Sequence, residues 1–196
     1  MSGGVAAPPD ADAVHALLPQ TQCTRCGYEG CRPYAEAIAA GVADINRCPP
    51  GGEATLVRLA ALTGRPARPI DPGCGMPGPP MVAVIDAARC IGCARCLPPC
   101  PVDAIVGAQR QLHVVLDDLC TGCELCIAPC PVDCITLAPR AAQAPRSPEP
   151  AAAENLRRYD AHRARRARRE AERLALLAER KARAVTLSTR NAGGSP

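Results

Sequence analysis

An α+β architecture of small domains, held by ligation rather than by a large apolar core, is predicted by three observations. Fourteen cysteines among 196 residues fall into regularly spaced runs. Trp and Phe are absent and Tyr occurs three times, against 22 Pro and 16 Gly, so little apolar volume is available for burial. A chain that buries so little draws its stability from bound metal, and without metal it should be largely unfolded around the cysteines. Finally, short β-branched segments lead into two of the cysteine runs, while helix-compatible segments surround a third.

Taken in order, residues 10–18 read as a short amphipathic helix, with Asp10 and Asp12 in its first turn and Pro19 as its stop. Cys23, Cys26, Cys31 and Cys48 follow, spaced C-x2-C-x4-C-x16-C. Between the last two, Pro33 suits the first turn of a helix that runs through Tyr34 to Ala40 and stops at Gly41. Glu53 to Leu62 reads as another short helix, ended by Gly64 and Pro66. On spacing alone these four cysteines form a metal site for which zinc and an iron–sulfur cluster are both open.

Residues 65–80 read as a Pro/Gly linker. Gly73 to Gly78 matches G-x-G-x-x-G formally, but no strand leads in and prolines follow, so no dinucleotide site is expected. Cys74 within it reads as an exposed spare thiol without partners at ligand spacing.

Val82–Ile85 and His113–Leu116 read as strands that enter two cysteine runs, and Ile135–Leu137 as a closing strand. The runs are C-I-G-C-A-R-C-L-P-P-C-P from Cys90 and C-T-G-C-E-L-C-I-A-P-C-P from Cys120. Both have the C-x2-C-x2-C-x3-C-P spacing of a cubane cluster, repeated at a 30-residue period. Gly92 and Gly122 let the backbone approach sulfide, and Pro101 and Pro131 set the exit direction. In two-cluster ferredoxins the fourth cysteine ligates the other cluster. One [4Fe–4S] cluster is therefore expected on Cys90, Cys93, Cys96 and Cys130, and its partner on Cys120, Cys123, Cys126 and Cys100. Zinc wants two pairs separated by a loop and fits these runs poorly. The expected arrangement is two strand–turn–helix units face to face. Cys134 stands where the first repeat has Ala104 and reads as a small buried thiol; His113 and His15 read as structural.

These motifs carry a resemblance. L-P-Q-T-Q-C-x-x-C-G-Y-x-G-C-R-P-Y-A-E-A-I, the later N-R-C-P-P-G-G-E, and C-P-V-D-A-I-V-G-A before D-L-C-T-G-C are similar to the B subunit of the Rnf electron-transport complex (the RnfB family), over about residues 10–138. The resemblance implies that Cys23, Cys26, Cys31 and Cys48 hold a third [4Fe–4S] cluster. It also implies electron transfer between a flavoprotein or ferredoxin donor and acceptors that include the membrane subunits of such a complex. That family usually carries an apolar N-terminal anchor, and here the cluster domain begins almost at Met1, so a form lacking the anchor is expected. A similar four-cysteine domain occurs in corrinoid iron–sulfur proteins, which leaves an accessory role for a corrinoid-dependent methyltransferase as an alternative. No barrel for a corrinoid is visible.

The expected domains are a helical [4Fe–4S] domain at 1–64, the linker at 65–80, a two-cluster ferredoxin domain at 81–138, a second linker at 139–153, an Arg-rich helix at 154–185 and a disordered tail at 186–196. Residues 151–185 carry 11 basic against 5 acidic residues, leaving the rest of a chain of net charge +4 slightly acidic. Glu154/Arg158 and Glu179/Arg183 are spaced as i,i+4 pairs. Arginines crowd between His162 and Arg173; this face reads as solvated, or as a docking arm for an acidic partner or an anionic membrane surface. The near absence of aromatics argues against nucleic acid.

Several functions are excluded. No signal-peptide pattern and no span of apolar residues long enough for a bilayer is present, so the expected location is the cytoplasm or the cytoplasmic face of the inner membrane. No nucleophile–base pair and no catalytic histidine is visible. The chemistry expected is outer-sphere electron transfer by a carrier or subunit that is not an enzyme on its own. A metal-stabilised interaction module is the alternative.

Overall fold

The computed structural model describes residues 9–140 and 148–192, with side chains for 9–140 and 151–184. Expectations for residues 1–8, 141–147 and 193–196 lie outside the described residues. The chain divides into two units, Met1–Tyr159 and Asp160–Pro196.

The first unit opens with three helices: α1 (Ala11–Leu17), α2 (Cys31–Ala39) and α3 (Gly52–Thr63). Asp10 caps α1 by accepting from the Asp12 N–H at 3.2 Å. Gly64, at φ 68°, closes α3 in the left-handed conformation, as its position predicts. Val14, Leu18, Tyr34, Ile38 and Leu59 form the core, joined by Cys26, Cys31 and Cys48. Tyr34 lies inside this core and needs partners for its hydroxyl. It donates to Asp44 O (2.8 Å) and accepts from Arg47 N (3.0 Å), tying the loop before Cys48 to α2. Arg65 donates to the carbonyls of Ile38 (3.0 Å) and Ala43 (2.8 Å), so the C-terminal end of α2 is held by a cation.

Residues 65–80 are fastened, not free. Asn46 donates to Pro69 O at 2.8 Å, Asp71 N–H donates to Asn46 O at 2.9 Å, and Ile70 packs on the helical core.

Four strands follow: β1 (Met81–Ile85), β2 (Ile105–Val106), β3 (Val114–Val115) and β4 (Ile135–Pro139). β1 pairs antiparallel with β4, from Met81↔Pro139 to Ile85↔Ile135, and β2 pairs antiparallel with β3. The first strand of the domain thus meets the last, which folds one cysteine run over the other. Their shared core is made of Ala83, Val102, Ala104, Ile105 and Ile135 with Cys96, Cys100, Cys126, Cys130 and Cys134. The helices expected in the strand–turn–helix units are single turns at the end of each run instead: Cys100 N–H bonds to Leu97 O at 3.3 Å and Cys130 N–H to Ile127 O at 3.0 Å. Four cysteines and one or two prolines within eleven residues leave no room for an i→i+4 ladder.

The last helix, α4 (Pro148–Ala192), begins before and ends beyond the expected 154–185. Residues 148–153 are therefore helix rather than linker, and 186–192 are helix rather than disordered tail. Up to Tyr159 it belongs to the first unit. Asn155 donates to Pro19 O (3.3 Å) and Arg158 to Val102 O (2.9 Å), fixing its opening turns to both cysteine-bearing parts. Glu154 and Arg158 pair at 3.8 Å as their spacing predicts. In the second unit the exposed helix carries Arg173–Glu170 (2.6 Å) and Arg168–Glu172 (3.8 Å) pairs; among the described residues no ion pair joins Glu179 to Arg183.

Candidate metal centre

The crossed pairing of β1 with β4 gathers the thiols into two cavities. One, of about 290 Å³ counting its open mouth, is lined by Cys90, Cys93, Cys96 and Cys130. The other, of about 320 Å³, is lined by Cys100, Cys120, Cys123 and Cys126. Each therefore receives three cysteines of one run and the fourth of the other. Among the described residues no three Cys, His, Asp or Glu side chains converge closely enough for a single metal ion.

The backbone around each run is unusual for L-residues. Gly92 and Ala94 flank Cys93 with φ of 67° and 60°; Gly122 and Glu124 flank Cys123 with 65° and 68°. Alternating hand along a chain turns successive N–H groups toward one concave side, where they face an anion. Asp103 and Asp133, three residues beyond the fourth cysteines, repeat the feature at 49° and 47°. The glycines also answer to a second constraint. A Cβ on Gly122 would stand 2.5 Å from Met81 O, and one on Gly92 2.7 Å from Gln111 N, so each loop is overlaid by backbone from the opposite half. N–H groups already point at sulfur, among them Ala83 to Cys120 Sγ (3.4 Å) and Ala104 to Cys100 Sγ (3.2 Å).

The N-terminal thiols share that backbone. Gln22 and Thr24 flank Cys23 with φ of 55° and 60°, the same alternation found around Cys93 and Cys123. Cys26, Cys31 and Cys48 are buried beside one another, and Cys23 is near enough to raise the thiol pKa of each. Burial is the larger cause; it pushes Cys31 up to about 12. The same desolvation lifts Cys126 to about 12 and Cys96 and Cys123 to about 11. These thiols are neutral at pH 7 unless a cation claims them.

Sequence reasoning passed over the glutamines between α1 and Cys23. Gln20 donates to His15 O (2.6 Å), Gln22 donates to Gln20 Oε1 (2.9 Å), and Gln22 Oε1 accepts from Cys31 N–H (2.9 Å) at the start of α2. This buried chain spans the Cys23 loop and satisfies a helix N-terminus that has no side-chain cap of its own. The signal was present only as two glutamines, Gln20 and Gln22, just before the first cysteine.

Cys74 corrects another expectation. It is 7% exposed, its Sγ lies 3.7 Å from Asp71 Oδ2, and it stands close enough to Cys26 and Arg47 to act on their charges. The 3-10 turn Pro72–Cys74, capped by Asp71, tucks it in. Cys134 is buried as expected, and it lines the same cavity as Cys90 and Cys130, with its Sγ 3.5 Å from Cys130 Sγ. His113 lines that cavity too, its Nδ1 3.8 Å from Cys90 Sγ.

The N-terminal loop and one of the two runs meet directly. Thr121 Oγ1 donates to Thr21 O (3.3 Å), and Arg25 forms an ion pair with Glu124. These contacts straddle Cys23 on one side and Cys123 on the other.

Among the described residues no helix is long and apolar enough to cross a membrane. Residues 83–137 match the family described as "4Fe-4S dicluster domain", and residues 18–50 the one described as "Putative Fe-S cluster". Three curated relatives, each named as the B subunit of an ion-translocating oxidoreductase complex, illustrate the likeness. The protein of Alkalilimnicola ehrlichii is 61% identical over 109 residues, 55% of this chain and 59% of the relative. That of Thiobacillus denitrificans is 57% identical over 110 residues, 56% of this chain and 58% of its own. That of Azoarcus sp. is 59% identical over 111 residues, 57% and 61%. The chain thus spans about three fifths of the length of the curated relatives it matches.

Proposed function

We propose that this chain, homologous over more than half its length to the B subunits of ion-translocating oxidoreductase complexes, carries three [4Fe–4S] clusters and relays electrons as a subunit or carrier in such a system. It is an iron–sulfur electron-transfer protein with a 4Fe-4S dicluster domain. The assignment of ligands is our reading: Cys90, Cys93, Cys96 and Cys130 for one cluster; Cys120, Cys123, Cys126 and Cys100 for the next; Cys23, Cys26, Cys31 and Cys48 for the third.

The observation that carries this reading is the crossed lining of the two cavities, three thiols from one run and one from the other. The third cluster is supported by the alternating backbone around Cys23, which repeats that of the other two loops. When bound, the clusters supply one-electron transfer; the protein supplies thiolates, N–H donors and burial, which set potential and keep water away. Donor and acceptor are other redox proteins, with Rnf-type membrane subunits among the acceptors, and the chain acts at the cytoplasmic membrane face or free in the cytoplasm. The Arg-rich outer part of α4 supplies positive charge for an acidic partner or an anionic membrane surface.

Iron and acid-labile sulfide analysis of the anaerobically purified chain, with EPR after dithionite, tests the reading. Three cubanes require about twelve irons and as many sulfides per chain. About eight would remove the N-terminal cluster, and zinc without sulfide would end the electron-transfer reading.

A further inference from the structure

The two cysteine runs repeat at 30 residues, yet the side chains that face their sulfurs do not repeat. One period before His113 and Cys134 stand Ala83 and Ala104. Backbone N–H groups serve both halves: those of Ala83 and Ala104 donate to Cys120 and Cys100, and those of Val132, Asp133 and Cys134 to Cys130. Thr121 also stands within hydrogen-bond reach of Cys123, but it has a single hydroxyl proton, and Thr21 O accepts it at 3.3 Å. Around Cys90 and Cys130 two side chains are added: His113 Nδ1 at 3.8 Å from Cys90 Sγ, and Cys134 Sγ at 3.5 Å from Cys130 Sγ. A thiolate that binds iron can only accept, so in each pair the proton belongs to His113 or Cys134.

Both are shielded from water, His113 at 2% and Cys134 at 4% exposure, so water does not compete for their hydrogen bonds. The imidazole has a place made for it. A Cβ on Gly107 would stand 2.5 Å from His113 Cδ2 and 3.0 Å from its Cα, so only glycine there admits the ring. His113 Nε2, on the far side of the ring, is buried without a partner among the described residues, a cost that an alanine like Ala83 avoids. Packing alone does not account for a histidine at this position.

Hydrogen bonds to cluster sulfurs spread negative charge and raise the reduction potential. Resting on the ligand assignment above, we propose that His113 and Cys134 are positioning residues that make the two halves electronically unequal. The half held by Cys90, Cys93, Cys96 and Cys130 then has the higher potential and keeps the electron. The step is a one-electron reduction by the redox-protein donor proposed above, which is oxidised by one electron; no bond forms and no proton moves.

EPR-monitored redox titration of the full, cluster-loaded chain tests this, with signals assigned through Cys93→Ser and Cys123→Ser. Cys134→Ala should lower the potential of the Cys90 half alone, by roughly 59 mV, a tenfold change in its reduced-to-oxidised ratio. Cys134→Ser keeps a donor and should restore most of the difference. His113→Ala should shift the same half in the same direction; if that variant fails to hold iron, the Cys134 pair decides. Potentials unmoved by Cys134→Ala, or both halves moving equally with eight dicluster irons intact, would overturn the inference and leave the cluster assignment standing. Fewer than eight irons in the unmodified chain would remove both.

Discussion

At Gly122 a single missing methyl group decides whether two halves of a domain can close. Its φ of 65° and the 2.5 Å approach of Met81 O to an ideal Cβ mean that Gly122→Ala must shift β1 from the Cys120 loop. Loss of about four irons, one cubane, is expected, read by iron analysis and the amplitude of the visible absorption. Full iron content in this variant would mean the loop tolerates displacement. Gln22 is a different case, since its job is satisfaction of buried polar groups. Gln22→Leu strands Gln20 Oε1 and the Cys31 N–H and should cost about 1–3 kcal/mol. The check is the midpoint of guanidinium-induced bleaching; an unmoved midpoint would rule the glutamine chain out as a support. The thiols make a pH prediction. Burial raises Cys31, at the start of α2, above the ordinary thiol value of 9.0, so wherever the metal-free chain keeps the core of α1, α2 and α3 that core favours the neutral thiol. That contribution is fully present below pH 9 and is lost as pH rises through about 12. In far-UV circular dichroism of the chelated chain, the helical signal of that core should melt across this window, while α4, which carries no thiol, keeps its own.

Among the elements, length separates those that need iron from those that do not. β2 and β3 have two residues each, and β1 and β4 five, too few for stability without a core behind them. α4 runs for 45 residues, rich in Ala and Arg, well past the length at which helices persist in water. Chelation of iron should abolish the strand contribution while leaving a helical spectrum, and a chelated chain that kept its sheet signal would sink the view that ligation holds the domain. The strands flanking the runs were legible from their β-branched residues, whereas β2 was not, because Gly107 cuts the apolar pair Ile105–Val106 short. The helices expected in the strand–turn–helix units failed for a local reason. Spacing by threes looks helical, but cysteines bound for a common centre and the prolines beside them allow one turn only. α4 was legible by composition, and its attachment through Asn155 and Arg158 was not, since both contacts fall on carbonyls more than fifty residues away.

For the molecule as a whole, the seam at Thr21–Thr121 and Arg25–Glu124 sets which loops are neighbours. The ion pair is partly exposed, so Arg25→Glu should change stability by no more than about 1 kcal/mol. Its larger effect should be kinetic: like charges would push the Cys23 and Cys123 loops apart and slow electron exchange between them. Flash-photolysis rates equal to those of the unmodified chain would show that the crossing lies elsewhere. Twelve thiols in three spaced sets, the repeat that relates two of them, and the poverty of the core are local properties, and ligand spacing is a code written over eleven or twenty-six residues. The sequence alone therefore determined the chemistry. Tertiary structure decided the rest: that Cys74 is buried rather than exposed, that His113 and Cys134 face one half only, and that the N-terminal loop leans on the Cys123 loop. Each of these depends on which backbone comes to lie beside which, and that is settled by strand pairing and burial across distant parts of the chain.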